Sequence, residues 1–220
     1  VGGSRAKTIV AMNNARKPLD DVRVRRAISM AIDRQAVIQG AADGLGVPIG
    51  SFYVPGAAGY VDTTNMVPYD PEKARALLKE AGVAGLSLSM KLPPTPYAKQ
   101  GGEVIAAMLA KAGITVTLES VEWAQWLSQV YGKKDYDLTI ISHVEPFDFG
   151  NFAKPDYYWN YRSPTFNALY ERILQSGNEQ ERTRLLGDAQ RLVADDAVAV
   201  YLYQPQWITV ANSKLQGLWQ

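Results

Sequence analysis

A chain of 220 residues, 47% of them hydrophobic, carries enough apolar side chain for a full core in one large domain or two small ones. Lys and Arg (23) balance Asp and Glu (22) to a net charge of +1, which argues against a nucleic-acid groove or a polybasic membrane surface, since both need concentrated positive charge. The absence of cysteine excludes zinc–thiolate sites, thiol nucleophiles and redox dyads, and it suits an exported protein that avoids adventitious disulfides. No apolar run approaches the ~20 residues of a membrane span. The opening VGGSRAKTIV is too short and polar to read as a signal peptide.

AKTIVAMNN (6–14) reads as an entering strand, broken at Lys17-Pro18. Asp20 or Asp21 then caps a single helix through DVRVRRAISMAIDRQAVIQG, with Val24, Ile28, Ala31 and Ile32 on one face and Arg23, Arg26, Asp33 and Arg34 mostly on the other. From Gly40 to Pro68 a Gly/Pro-rich stretch has little periodicity and is too long for a simple connector, which predicts an ordered functional or docking loop. YDPEKARALLKEAG (69–82) is a punctuated helix: Asp70 caps it, Pro71 occupies its first turn and Gly82 ends it.

The next segments alternate strand and helix. LSLSMKL (86–92) is followed by the helix GEVIAAMLAKAG (102–113), the strand ITVTLESV (114–121), the helix EWAQWLSQVYG (122–132) on Trp123, Trp126, Leu127 and Val130, and the strand DLTIIS (137–142). Connections of this length predict right-handed crossovers and parallel strands covered by helices. Two more helices follow, SPTFNALYERILQSG capped by Ser163 and NEQERTRLLGDAQRLVADD with Asn178 and Glu181 spaced as a capping box. AVAVYLYQPQWITVANS closes the chain as strand material interrupted at Pro205. The fold class is therefore α/β.

Open parallel sheets collect ligands beyond the carboxyl ends of their strands. Strand 137–142 points that end at HVEPFD, and strand 86–92 delivers PPTPY to the same edge. The ligand-binding candidates are Glu145, His143, Phe147, Asp148, Tyr157, Tyr158 and Trp159. A partly desolvated Glu145 could anchor a ligand ammonium, and the rings could form adaptable amphipathic walls. Each has a plainer reading beside it. Glu145 also fits an exposed loop acid, His143 a hydrogen-bonded structural histidine, Asp148 a turn cap before Gly150, and half the rings core packing. A metal centre is not expected, because one histidine with scattered acids lacks ligand spacing, and no cofactor is expected either.

NARKPLDDVRVRRAISMAIDRQAVIQG and YDPEKARALLKEAG together resemble the corresponding blocks of the family 5 solute-binding proteins of ABC transporters, the peptide, nickel and opine type. The later order, ending YDLTIISHVEPFD, is similar too, so the resemblance covers nearly the whole chain. It implies a periplasmic-binding-protein type II lobe with a mixed, mostly parallel sheet flanked by helices. Residues 1–220 would form a single lobe, the C-terminal one of a two-lobed protein, with the N-terminal lobe and export signal absent. Peptide-binding members carry a strand-end W-x-x-D whose Asp holds the peptide ammonium; here Ser142 falls at the Trp position and Glu145 at the Asp position.

The implied function is that of the periplasmic or extracellular substrate-binding component of an ABC importer. It would take peptides or similar charged solutes between two lobes by hinge closure, with the other lobe and the permease complex as partners and no insertion into the membrane. A hydrolase is the contrasting reading. It would rest on His143 as the one available base or on the pair Glu145 and Asp148, but no G-x-S-x-G elbow supports it. A scaffold domain docking another protein through the aromatic loop is the third.

Overall fold

The computed structural model describes residues 1–217. The chain enters through β1 (Gly2–Gly3) and β2 (Lys7–Met12), and every side chain of β2 is buried. The segment expected to form one helix after Pro18 forms two, α1 (Val22–Met30) and α2 (Arg34–Ala41). Asp33 is the cause of the break. Its backbone is extended, and its Oδ1 accepts from the Gln35 and Ala36 N–H groups, so it caps a new helix as Asp21 caps the first.

The 40–68 stretch is ordered and contains β3 (Gly46–Pro48). Phe52, Val54 and Val67 are buried, and Gln190 fastens the stretch by donating to the Gly59 carbonyl and accepting from the Val61 N–H. Gly50 lies so close to Thr63 that an added Cβ would come within 2.2 Å of its carbonyl carbon. α3 (Pro71–Glu80) keeps its Asp70 cap, and Gly82 takes φ +74 just beyond it. After β4 (Ser87–Leu92), α4 (Pro96–Lys111) begins six residues before the expected start, because Pro96 suits a first helical turn. Gly102 in that helix admits Leu92, whose Cδ1 would lie 2.7 Å from a Cβ there.

β5 (Thr115–Ser120) leads to α5 (Trp123–Trp126), which runs into a π-helical turn, Leu127–Gly132. Of the four apolar residues expected to face inward here, Trp126 and Val130 do. Trp123 and Leu127 are exposed, one turn apart on the outer flank of the widened helix. β6 (Leu138–His143) is followed by a 3₁₀ segment, Asp148–Ala153, then α6 (Pro164–Gln175), α7 (Glu179–Asp195) and β7 (Ala199–Trp207). Pro205 does not interrupt the last strand. Its carbonyl accepts from the Ser4 N–H, and the next N–H reaches Leu45, so the ladder passes over it.

The strands lie in the order β1-β7-β2-β6-β4-β5, with β3 also paired to β7. β4 runs parallel to both β5 and β6, as the strand–helix–strand alternation predicts, while β2 runs antiparallel to β6 and β7. Helices α1 to α4 pack on one face around Ile28, Leu78, Ile105 and Leu109. The other face is covered by α5 to α7 and by an aromatic mass that includes Phe52, Phe152, Tyr158 and Trp159. This is an α/β lobe with a mixed sheet between two helical layers.

Candidate functional site

The parallel register of β4 and β6 brings their carboxyl ends to one edge, as expected. From the first turn of α4, Tyr97 reaches across that edge and accepts a hydrogen bond from the Ser142 N–H. His143 is the last residue of β6 and the register partner of Lys7 on β2, so both side chains leave the sheet on the same side. Lys7 is the residue that sequence reasoning missed. Its signal is an ammonium inside a strand with no exposed position, where a charge requires a partner.

The partner is Asp148. Lys7 Nζ lies 2.6 Å from Asp148 Oδ1 and donates a second 2.6 Å bond to the Glu145 carbonyl, with both charged side chains about 95% buried. The ammonium also sits 4.7 Å from the Phe52 ring centroid. Asp148 is therefore not a turn cap, the plainer role the sequence gives it, but half of a buried ion pair that ties the 144–148 turn to β2. Burial pushes its carboxyl above the usual range, and Lys7 opposes that rise. Its second oxygen, Oδ2, has no hydrogen-bond partner.

His143 is buried and stacks on Tyr158 at 6.0 Å, with Nε2 2.9 Å from the phenol oxygen. Burial drives its pKa down to about 4; the Lys7 ammonium adds to the effect and Glu145 works against it. Nδ1 faces the acids, 3.9 Å from Glu145 Oε2 and 3.9 Å from Asp148 Oδ2. Glu145 itself is the exposed member, with 66% of its side chain accessible, held at the backbone by Lys7.

The rings divide. Tyr158 and Trp159, expected among the walls of a site, are core residues: Trp159 stacks on Phe152 at 4.5 Å, and the Tyr158 carbonyl accepts from the buried Tyr136 hydroxyl. The correction has a packing cause, since each ring here touches several others and no surface remains on these two. Tyr157 is half-buried at the rim, and Phe147 is 89% exposed at the tip of the turn. Glu145, Phe147 and Tyr157 line an open depression of about 460 Å³ together with Asp148, Tyr131 and Lys154, the last two being further residues the sequence did not single out. A second hollow of about 310 Å³ opens on the other side of the turn, between Arg5, Tyr53 and Phe147. The edge thus offers one accessible carboxylate on a fixed backbone, one exposed ammonium and flat apolar surface.

The profile of the bacterial extracellular solute-binding proteins, family 5 (middle region), matches residues 3–168. The dipeptide-binding protein of Escherichia coli (strain K12) is 30% identical over 230 residues, which cover 94% of this chain and 42% of that protein. Heme-binding protein A of Haemophilus influenzae (strain ATCC 51907 / DSM 11121 / KW20 / Rd) is 30% identical over 222 residues, 93% of this chain and 39% of that one. Among solved structures, the ABC transporter-associated periplasmic binding protein DppA from Helicobacter pylori, in complex with peptide STSA, superposes with a TM-score of 0.84 at 25% identity over 92% of this chain and 42% of its own. The chain spans about two-fifths of the length of these relatives. They are solute-binding proteins rather than enzymes, and no helix among the described residues is long and apolar enough to cross a membrane.

Proposed function

This chain belongs to the bacterial extracellular solute-binding proteins of family 5, and from that premise we propose that it is one lobe of an ABC-importer receptor for peptides or similar charged organic solutes. Residues 1–220 act as a single C-terminal-type lobe, working outside the cytoplasmic membrane and docking on a permease. The solute sits between this lobe and a second one, and closure is favoured because only the closed form contacts it on both sides. The observation that carries the reading is Glu145. Its carboxylate stands exposed just beyond the carboxyl end of β6 while its carbonyl is fixed by a buried lysine, so the backbone of the anchor is set before an ammonium arrives and only the side chain has to be ordered.

Phe147 and Tyr157 supply apolar walls beside that anchor, and His143 and Asp148 support it from beneath; Tyr158 and Trp159 act only as floor. Relatives named for dipeptides and for heme, each 30% identical to this chain, accord with a scaffold whose rim residues choose the solute.

Titration calorimetry tests the proposal. A dipeptide should give no measurable heat with this chain alone, which offers half a site, and should bind a two-lobed protein that contains it. In that protein Glu145→Gln should weaken binding at least about tenfold, the loss of one charge-assisted contact. Tight binding to the lone chain, or an unchanged affinity in the variant, would overturn the reading.

A further inference from the structure

We propose that His143 Nδ1, Glu145 and Asp148 Oδ2 form a divalent-cation site at the carboxyl end of β6, suited to zinc. The three residues lie at spacings that suggest nothing in sequence, yet each offers one ligand atom, and those atoms all fall within 4.8 Å of one another. Nδ1 is 3.9 Å from both Glu145 Oε2 and Asp148 Oδ2. Three atoms so separated share a centre about 2.5 Å or less from each, and a contraction of a few tenths of an ångström reaches zinc–ligand lengths. The exposed Glu145 side chain has the freedom to supply that contraction.

An independent observation points the same way. Asp148 Oδ2 belongs to a residue more than nine-tenths buried, faces the imidazole, and has no hydrogen-bond partner, although its twin oxygen is fully engaged by Lys7. A buried acceptor left in that state awaits a donor or a cation. The imidazole is arranged as a metal ligand requires. Its Nε2 is tied to the Tyr158 hydroxyl, which fixes the ring and leaves Nδ1 for the ion. Charge also permits it: Lys7 offsets one of the two carboxylates, and the remaining negative charge favours a divalent ion. An imidazole in the set selects a borderline ion such as zinc over magnesium or calcium, which prefer all-oxygen shells.

The consequence for the edge is competition. A cation held by Glu145 neutralises the carboxylate that would otherwise hold an ammonium, so metal and cationic solute exclude each other there. The cation site itself does not depend on which solute, if any, the lobe binds.

The test is competition for Zn²⁺ between the chain, stripped with EDTA and dialysed, and a chromophoric chelator. One zinc ion per chain should be withdrawn, and a roughly hundredfold excess of Mg²⁺ should not displace it. Glu145→Gln and Asp148→Asn should each weaken zinc at least about tenfold. Because Asp148→Asn disturbs the Lys7 pair, Glu145→Gln, at an exposed side chain, decides the matter. Circular dichroism would verify that it is folded. No zinc withdrawn, or an unchanged affinity in Glu145→Gln, would overturn the proposal.

Discussion

Replacement of Lys7 by methionine is expected to lower folding stability by about 3–5 kcal/mol at neutral pH, the usual cost of leaving a buried charge without its partner. Methionine refills the volume against Phe52, so the loss reports charge rather than a cavity. Asp148 is left buried with neither oxygen hydrogen-bonded. The pH dependence separates this from a packing defect. Burial already raises the folded pKa of Asp148 above the ordinary value of 3.8, and without the Lys7 ammonium nothing of opposite charge beside it opposes that rise. A carboxyl whose folded pKa exceeds its unfolded one destabilises the fold increasingly as pH rises from the unfolded to the folded value, and not at all below both. The deficit of Lys7→Met should therefore be largest at pH 7 and shrink toward pH 4. Adding Asp148→Asn to Lys7→Met should restore a large part of it, since the uncompensated charge is removed. Urea midpoints of the parent and the variants at the two pH values would read this out. A deficit that does not change with pH would show that Asp148 reaches water.

Why Lys7 escaped the sequence reading bears on how much of the fold was legible. Periodicity, caps and turn residues are local signals, and they located β2, α3, β4, β6, α6 and α7 together with the parallel half of the sheet. The local reading failed where two local preferences competed. Asp33 could continue a helix face or cap a new helix, and its two hydrogen bonds decided for the cap. Pro96 could belong to a loop or a first turn, and it starts α4. The candidate edge was legible because β6 must deliver residues 143–148 somewhere, and its parallel pairing with β4 fixes where. The partition of its rings was not. Tyr157, Tyr158 and Trp159 are adjacent and chemically alike, and only packing against Phe52, Trp126 and Phe152 sends two of them into the core and leaves one at the rim. The Lys7–Asp148 pair spans 141 positions and joins β2 to the turn after β6, two segments that only the tertiary fold sets side by side.

His143 makes the second large expectation, and its sign is opposite to that of Asp148. Its ring is buried and its pKa lies near 4, against 6.5 in an exposed histidine, because burial disfavours the imidazolium and Lys7 repels it. Above pH 6.5 the ring is neutral in both folded and unfolded chains, and nothing is lost. As pH falls from 6.5 toward 4 the unfolded chain takes up a proton that the folded one refuses, so stability declines across that window. The gap corresponds to about 3 kcal/mol by pH 4. Glutamine in place of His143 keeps a polar group near the Tyr158 hydroxyl but has no proton to gain. The difference in unfolding free energy between the parent and His143→Gln, followed from pH 7 to pH 4 in chelator-containing buffer, should therefore move by about 3 kcal/mol against the parent. Taking the difference cancels the other acids, including Asp148, which stabilises on acidification. A difference that stays constant over the window would place the imidazole in contact with solvent, and the anchor turn could not then rest on a dry floor.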